Sequence, residues 1–138
     1  MARTKSKKSQ LKDKAEHLMY ELAFKLYGSK CENCNGSWRL VVHHFIPRRL
    51  CKALTYELFN WIILCANCHF AHHTKSNPQI HIKILEKRGK KWLKKLNKLY
   101  EKAKKLTSYY GVDWLEKQIN KMQELNERIS KKGNFQIN

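Results

Sequence analysis

Four of the five cysteines fall in two pairs of one form, Cys31-Glu32-Asn33-Cys34 and Cys65-Ala66-Asn67-Cys68. Such a turn puts two thiolates on one side of a knuckle, and two knuckles supply the four sulfurs of a tetrahedral zinc site. Disulfides are the competing use of the same residues. A strongly basic chain without a secretory leader points instead to a reducing compartment, where thiols stay free. Cys51 is left over and reads as an ordinary thiol. Histidines crowd the same window: His43, His44, His69, His72 and His73 are five of the chain's seven. His69 and His73 stand four apart, on one face of a helix. With His43 they offer three imidazoles to one metal and leave positions open for water and phosphate, as a catalytic ion requires. His72 lies three residues after His69, near the same face, so spacing alone does not separate it from His73. The rival reading is a plain zinc finger whose histidines decorate a solvated surface.

Carboxylate chemistry has little to work with. The only carboxylates between Gly28 and Pro78 are Glu32 and Glu57, too few for a glycosidase pair or a two-metal site built on aspartates. Across the 138 residues, 29 Lys and Arg less 11 Asp and Glu leave a net charge of +18. That balance favours a polyanion, since each neutralised phosphate releases counterions. RNA, the ribosome or an anionic membrane surface would attract the same sign. Arg48 and Arg49, together with Lys90, Lys91, Lys94 and Lys95, are the candidate DNA contacts. The basic helix that carries the lysines reads equally well as a solvated face around a core stripe. No apolar run reaches the ~18 residues of a membrane span, and the basic start MARTKSKKSQLKDK lacks the apolar stretch of a signal peptide. The expectation is a protein neither secreted nor membrane-spanning, in the cytoplasm.

The elements that must position these groups follow from periodicity. Residues 1–8 read as a basic disordered arm, and residues 9–28 as a helix with Leu11, Ala15, Leu18, Leu22 and Leu26 on one stripe and Gly28 ending it. Trp38 to Val42 is a short β-like run after the first knuckle. Residues 53–64 are apolar and ambiguous, and Cys65 to Thr74 can begin a second helix. Residues 29–77 thus form the site-bearing core. Residues 78–138 are a basic helical extension in which Leu85, Trp92, Leu96, Leu99, Ala103 and Leu106 make one stripe, with Gly89 a point of breakage. Beyond Gly111, Leu115, Ile119, Met122, Leu125 and Ile129 make another. Two stripes joined by a short turn predict a helical hairpin, packed on the N-terminal helix or on a second copy.

The run Cys31-x2-Cys34, Val41-Val42-His43-His44-Phe45-Ile46-Pro47 and Asn60-Trp61-Ile62-Ile63-Leu64-Cys65-x2-Cys68-His69-x3-His73 resembles the HNH nucleases that carry a four-cysteine zinc. Asn60 precedes His69 by nine residues, as the family pattern requires. The resemblance implies an α+β, mostly α fold. Its centre is a ββα-metal (His-Me finger) core with the zinc at Cys31, Cys34, Cys65 and Cys68, flanked by the N-terminal helix and the C-terminal hairpin. It further implies a catalytic divalent ion, Mg2+ or another, held by His43, His69 and His73, with His72 as the neighbouring alternative. His44 would be the general base, and Asn60 would hold His44 and its loop. The implied reaction is hydrolysis of DNA to 5′-phosphate and 3′-hydroxyl ends. Gly89-Lys90-Lys91-Trp92-Leu93 is similar to the continuation of some phage members, so a phage or homing nuclease is the expected setting. Two other classes stay open: a zinc-stabilised DNA- or RNA-binding module without catalysis, and a ribosomal or RNA-binding protein. The last gives no reason for the histidines and Asn60. These motifs are compatible with a monomer and with a homodimer alike.

Overall fold

A computed structural model describes residues 3–74, 78–106 and 109–132. The first helix, α1 (Lys7–Tyr27), starts where the Ser6 side chain caps the Ser9 amide at 3.2 Å. It stops at Gly28, whose φ of 85° only a residue without Cβ adopts freely. This helix begins two residues earlier than the apolar stripe alone indicates, because the cap and not the stripe sets its start. Two strands follow, β1 (Leu40–His44) and β2 (Trp61–Cys65), paired antiparallel with His43 opposite Ile62 and His44 opposite Trp61. β1 starts at Leu40 and not at Trp38. Arg39 just before it has a positive φ of 48°, and Trp38 is 59% exposed. The loop between the strands contains short 3-10 turns at Lys52–Leu54 and Leu58–Asn60. Then come α2 (Ala66–Thr74), α3 (Gln79–Lys104) and α4 (Val112–Lys132).

The result is an α+β fold, mostly helical, in which both faces of the small sheet are covered. Every residue of β2 is buried, which is why Trp61-Ile62-Ile63-Leu64-Cys65 shows no polar alternation in the sequence. Trp61 and Ile63 point to one face and pack with Met19 and Leu22 of α1 and Leu115, Ile119 and Met122 of α4. Ile62 and Leu64 point to the other face and pack with Ile80, Ile84, Trp92 and Leu96 of α3. Each such buried side chain contributes about 1.5–3 kcal/mol.

This layering corrects the expected hairpin. The apolar stripes of α3 and α4 do not face each other; each is used against an opposite side of the sheet, and α4 lies along α1. A sheet with two greasy faces needs two covers, and the last two helices supply one apiece. Gly89 breaks α3 internally with φ 85° and ψ 176°, and the stripe ends before Leu106, which is 56% exposed. Of the expected N-terminal arm, residues 1 and 2 lie outside the described residues.

Candidate active site

The two knuckles meet at the end of the sheet. Cys31, Cys34, Cys65 and Cys68 bring their four sulfurs within 4.8 Å of one another. Cys34 and Cys65 sulfurs lie 3.7 Å apart, close to the ~3.8 Å edge of a tetrahedron with 2.3 Å Zn–S bonds. The four cysteines therefore fit a zinc site. Asn35 turns the first knuckle with a φ of 65°, and the Gly36 amide donates to Cys34 Sγ at 3.4 Å. A Cβ on Gly36 would sit 3.3 Å from that sulfur. Burial pushes the Cys31 thiol up, but the backbone amides of Cys34, Cys65 and Asn33 outweigh it and hold Cys31 at about 7. Burial pushes Cys68 up to about 12, and the neighbouring sulfurs add to it, a repulsion that a bound dication cancels.

Neither core carboxylate faces the histidines. Glu32, within the first knuckle, accepts from Arg88 Nε of α3 at 3.0 Å and pairs with Arg88 Nη2, and both side chains are buried. The Glu32 amide donates to the Ile63 carbonyl at 2.8 Å, so this residue ties knuckle, strand and helix together. Arg88 also lies over the Tyr27 ring, 4.2 Å from its centroid. Glu57 accepts from the Phe59 amide at the start of the second 3-10 turn.

The histidines of three elements converge in a cleft of about 800 Å³. His43 comes from β1, His69, His72 and His73 from α2, and His81 from α3. His69 Nε2 and His73 Nε2 are 3.0 Å apart, and His43 Nε2 and His81 Nε2 are 3.1 Å apart. Two sets have ligand atoms mutually within 4.8 Å: His43 with His69 and His73, and His43 with His72 and His81. Burial, and after it the other imidazoles, pushes His43 down to about 2 and His81 to about 4. Burial likewise lowers His69. Neutral imidazoles are the form that binds metal. Sequence reasoning missed His81. Its only signal is position: Pro78 starts a helix that folds back over the site, so a histidine in its first turn comes close to α2.

Adjacent residues on a strand point to opposite faces, and His44 accordingly turns away from this cluster toward α1. Its Nε2 lies 2.7 Å from the Thr55 carbonyl oxygen. A carbonyl only accepts, so the proton resides on Nε2 and Nδ1 carries the lone pair. Arg48 Nε donates toward Nδ1 from 3.4 Å, and the guanidinium forks onto Glu16 of α1 at 2.7 and 3.2 Å. Burial and the Arg48 charge hold His44 down at about 4. Thr55, Arg48 and Glu16 as partners of His44 join across sequence gaps that no motif spans.

Asn60 is fully buried. Its Nδ2 donates to the Ile46 and Leu54 carbonyls at 3.0 and 3.1 Å, and its Oδ1 accepts from the Ile46 amide at 2.7 Å. It fastens both ends of the loop that carries Arg48 and Arg49. Both arginines line the cleft. Lys90, Lys91, Lys94 and Lys95 are exposed on α3 and do not line it; Lys95 sits over the Phe59 ring at 4.2 Å.

Residues 31–75, about a third of the chain, match the family model for HNH endonuclease. Comparisons with curated proteins and with solved structures find no match. No helix among the described residues is long and apolar enough to cross a membrane.

Proposed function

With that match as the premise, we propose that the protein is a metal-dependent DNA endonuclease. The observation that carries the reading is the division of labour between two neighbouring imidazoles. His43 turns into the histidine cluster, His44 turns its Nδ1 lone pair to Arg48 on the other face, and both line one cleft rimmed by Arg48 and Arg49. His43, His69 and His73 fit a divalent ion and would hold it; among the described residues no carboxylate lines the cleft. That all-nitrogen donor set suits a first-row transition ion better than Mg2+. When bound, the ion supplies Lewis-acid stabilisation of charge on the phosphoryl oxygens and the leaving 3′-oxygen.

The chain's own groups do the rest. His44 takes the proton of the attacking water at Nδ1 once Arg48 Nε swings from it to the phosphate, while the Thr55 carbonyl fixes its tautomer. Burial first and the Arg48 charge second depress the basicity of His44 in the free protein, and an incoming phosphodiester anion offsets the second of these. Arg48 and Arg49 orient the phosphate. Asn60 is a positioning residue that acts through the loop backbone. On this reading residues 29–77 are the nuclease core, and the lysines at 90, 91, 94 and 95 widen the contact with DNA beyond the cleft. The expected ends are 5′-phosphate and 3′-hydroxyl. The four-cysteine site fits a reducing cytoplasm, and the Gly89-Lys90-Lys91-Trp92-Leu93 run supports a phage or homing nuclease.

The deciding experiment is a plasmid-nicking assay with and without added divalent metal. Metal-dependent nicking is expected. DNA binding without nicking under any divalent ion would favour a zinc-stabilised binding module.

A further inference from the structure

We propose that the histidine cleft holds a second metal position, formed by His43, His72 and His81, alongside the one formed by His43, His69 and His73. The three residues come from β1, α2 and α3, and their ligand nitrogens lie within 4.8 Å of one another. His43 Nε2 and His81 Nε2 are separated by 3.1 Å, near the ~3.3 Å edge expected for tetrahedral Zn–N bonds of 2.0–2.1 Å. Packing holds His81 beside His43, and His72, stacked face to face on His81, must turn its ring for both to bind one ion. His81 stacks on Phe45 with centroids 4.4 Å apart and on His72 with centroids 4.3 Å apart. His43 meets His72 edge-on at 5.0 Å. Phe45 in turn packs against Trp92, whose Nε1 donates to the Phe59 carbonyl at 2.9 Å, so the aromatic floor under His81 is anchored in the core.

Three neutral nitrogens select borderline ions such as Zn2+, Co2+, Ni2+ or Cu2+ over Mg2+ and Ca2+. A neutral imidazole has one unprotonated nitrogen, so His43 serves one ion at a time. The two positions therefore compete for it. A transition ion at the second position withdraws His43 from the first, and it also clamps the start of α3 to β1 and α2. The site stands on its own geometry and does not depend on the protein being a nuclease.

The test is cobalt(II) titration of the zinc-loaded full chain, read by the visible bands of a tetrahedral nitrogen site. The absence of a thiolate-to-cobalt band confirms that the four-cysteine zinc stays in place. Wild type is expected to take one cobalt in the cleft. The H69A/H73A and H72A/H81A variants should each still take one, with affinity within about tenfold of wild type. H43A and the fourfold variant H69A/H72A/H73A/H81A should lose more than about a hundredfold. Loss of cobalt uptake in H69A/H73A with none in H72A/H81A would overturn the proposal, leaving a single triad. A hundredfold loss in both double variants would overturn it too, in favour of one undivided five-histidine site. If circular dichroism shows that H69A/H73A folds poorly, the H69Q/H73Q variant replaces it, and failure of that folded variant to take cobalt refutes the second position.

Discussion

The Nε2 of His44 and the carbonyl oxygen of Thr55 lie 2.7 Å apart, and that carbonyl also accepts from Trp61 Nε1 at 3.0 Å. This contact commits the imidazole to one tautomer and leaves Nδ1 as its basic atom. His44→Ala is expected to bind DNA and cleft metal as wild type does but to cut roughly 10²–10⁴-fold slower, the usual worth of a positioned base. Plasmid nicking at saturating metal, beside a metal titration, checks both halves. Undiminished cutting would remove His44 from the chemistry.

Loss of the four-sulfur site should reach the whole core, because Cys31 and Cys65 are buried in the cluster beneath α3. Structural zinc is worth on the order of 10–16 kcal/mol in small modules, as much as the net stability of a typical domain. Cys31→Ser should yield zinc-poor, largely unfolded protein. Cys51 packs with Leu54 and Ala103 away from that site, so Cys51→Ser should keep its zinc and lose about 1–3 kcal/mol from burying a hydroxyl. Metal analysis and urea unfolding report the contrast.

Arg49 lines the cleft, and the α3 lysines do not. Arg49→Ala should weaken DNA binding and reduce the slope of log affinity against log salt by about 1. It should also slow cutting at saturating DNA. Replacing Lys90, Lys91, Lys94 and Lys95 by Ala should reduce affinity and salt dependence alone, with the rate at saturation unchanged. A slowed saturated rate in the lysine variant would mean that α3 reaches the scissile phosphate.

Gly89 holds φ 85° and ψ 176°, yet a Cβ there would touch nothing within 4 Å. Gly89→Ala is therefore destabilising through backbone strain alone, by about 1–3 kcal/mol. Thermal unfolding should show a fall of several degrees, with zinc content unchanged at low temperature. An unchanged Tm would mean that the break relaxes without cost.

Burial raises Tyr27 and Tyr56 to about 12. Both are neutral in the fold at a pH where they ionise in the unfolded chain, near 10. Their contribution is complete below pH ~10 and is lost as pH rises toward 12. Denaturant unfolding at pH 8 and pH 11 should show lower stability at the higher pH. Tyr27→Phe, which removes the hydroxyl that donates to the Leu58 carbonyl at 2.5 Å, should be less stable at pH 8 and show a smaller pH difference. An equal difference in the variant would place the alkaline loss elsewhere.

What was legible in the sequence was whatever short-range geometry dictates. Two residues between cysteines make a knuckle, three between His69 and His73 put both on one helical face, and neighbours on a strand such as His43 and His44 must part to opposite sides. The matched stretch of residues 31–75 is dense in such local rules. Tertiary structure decided what depends on which layer covers which face. The unbroken apolar run of β2 carries no period, so nothing local said that it would take α1 and α4 on one side and α3 on the other. That choice separated the two C-terminal helices and set Arg88 against Glu32. It also brought Glu16 to Arg48 across 32 residues and His81 to His43 across 38. Pairings at that range are fixed by burial of the sheet's two faces, a property of the whole chain and not of any spacing within it.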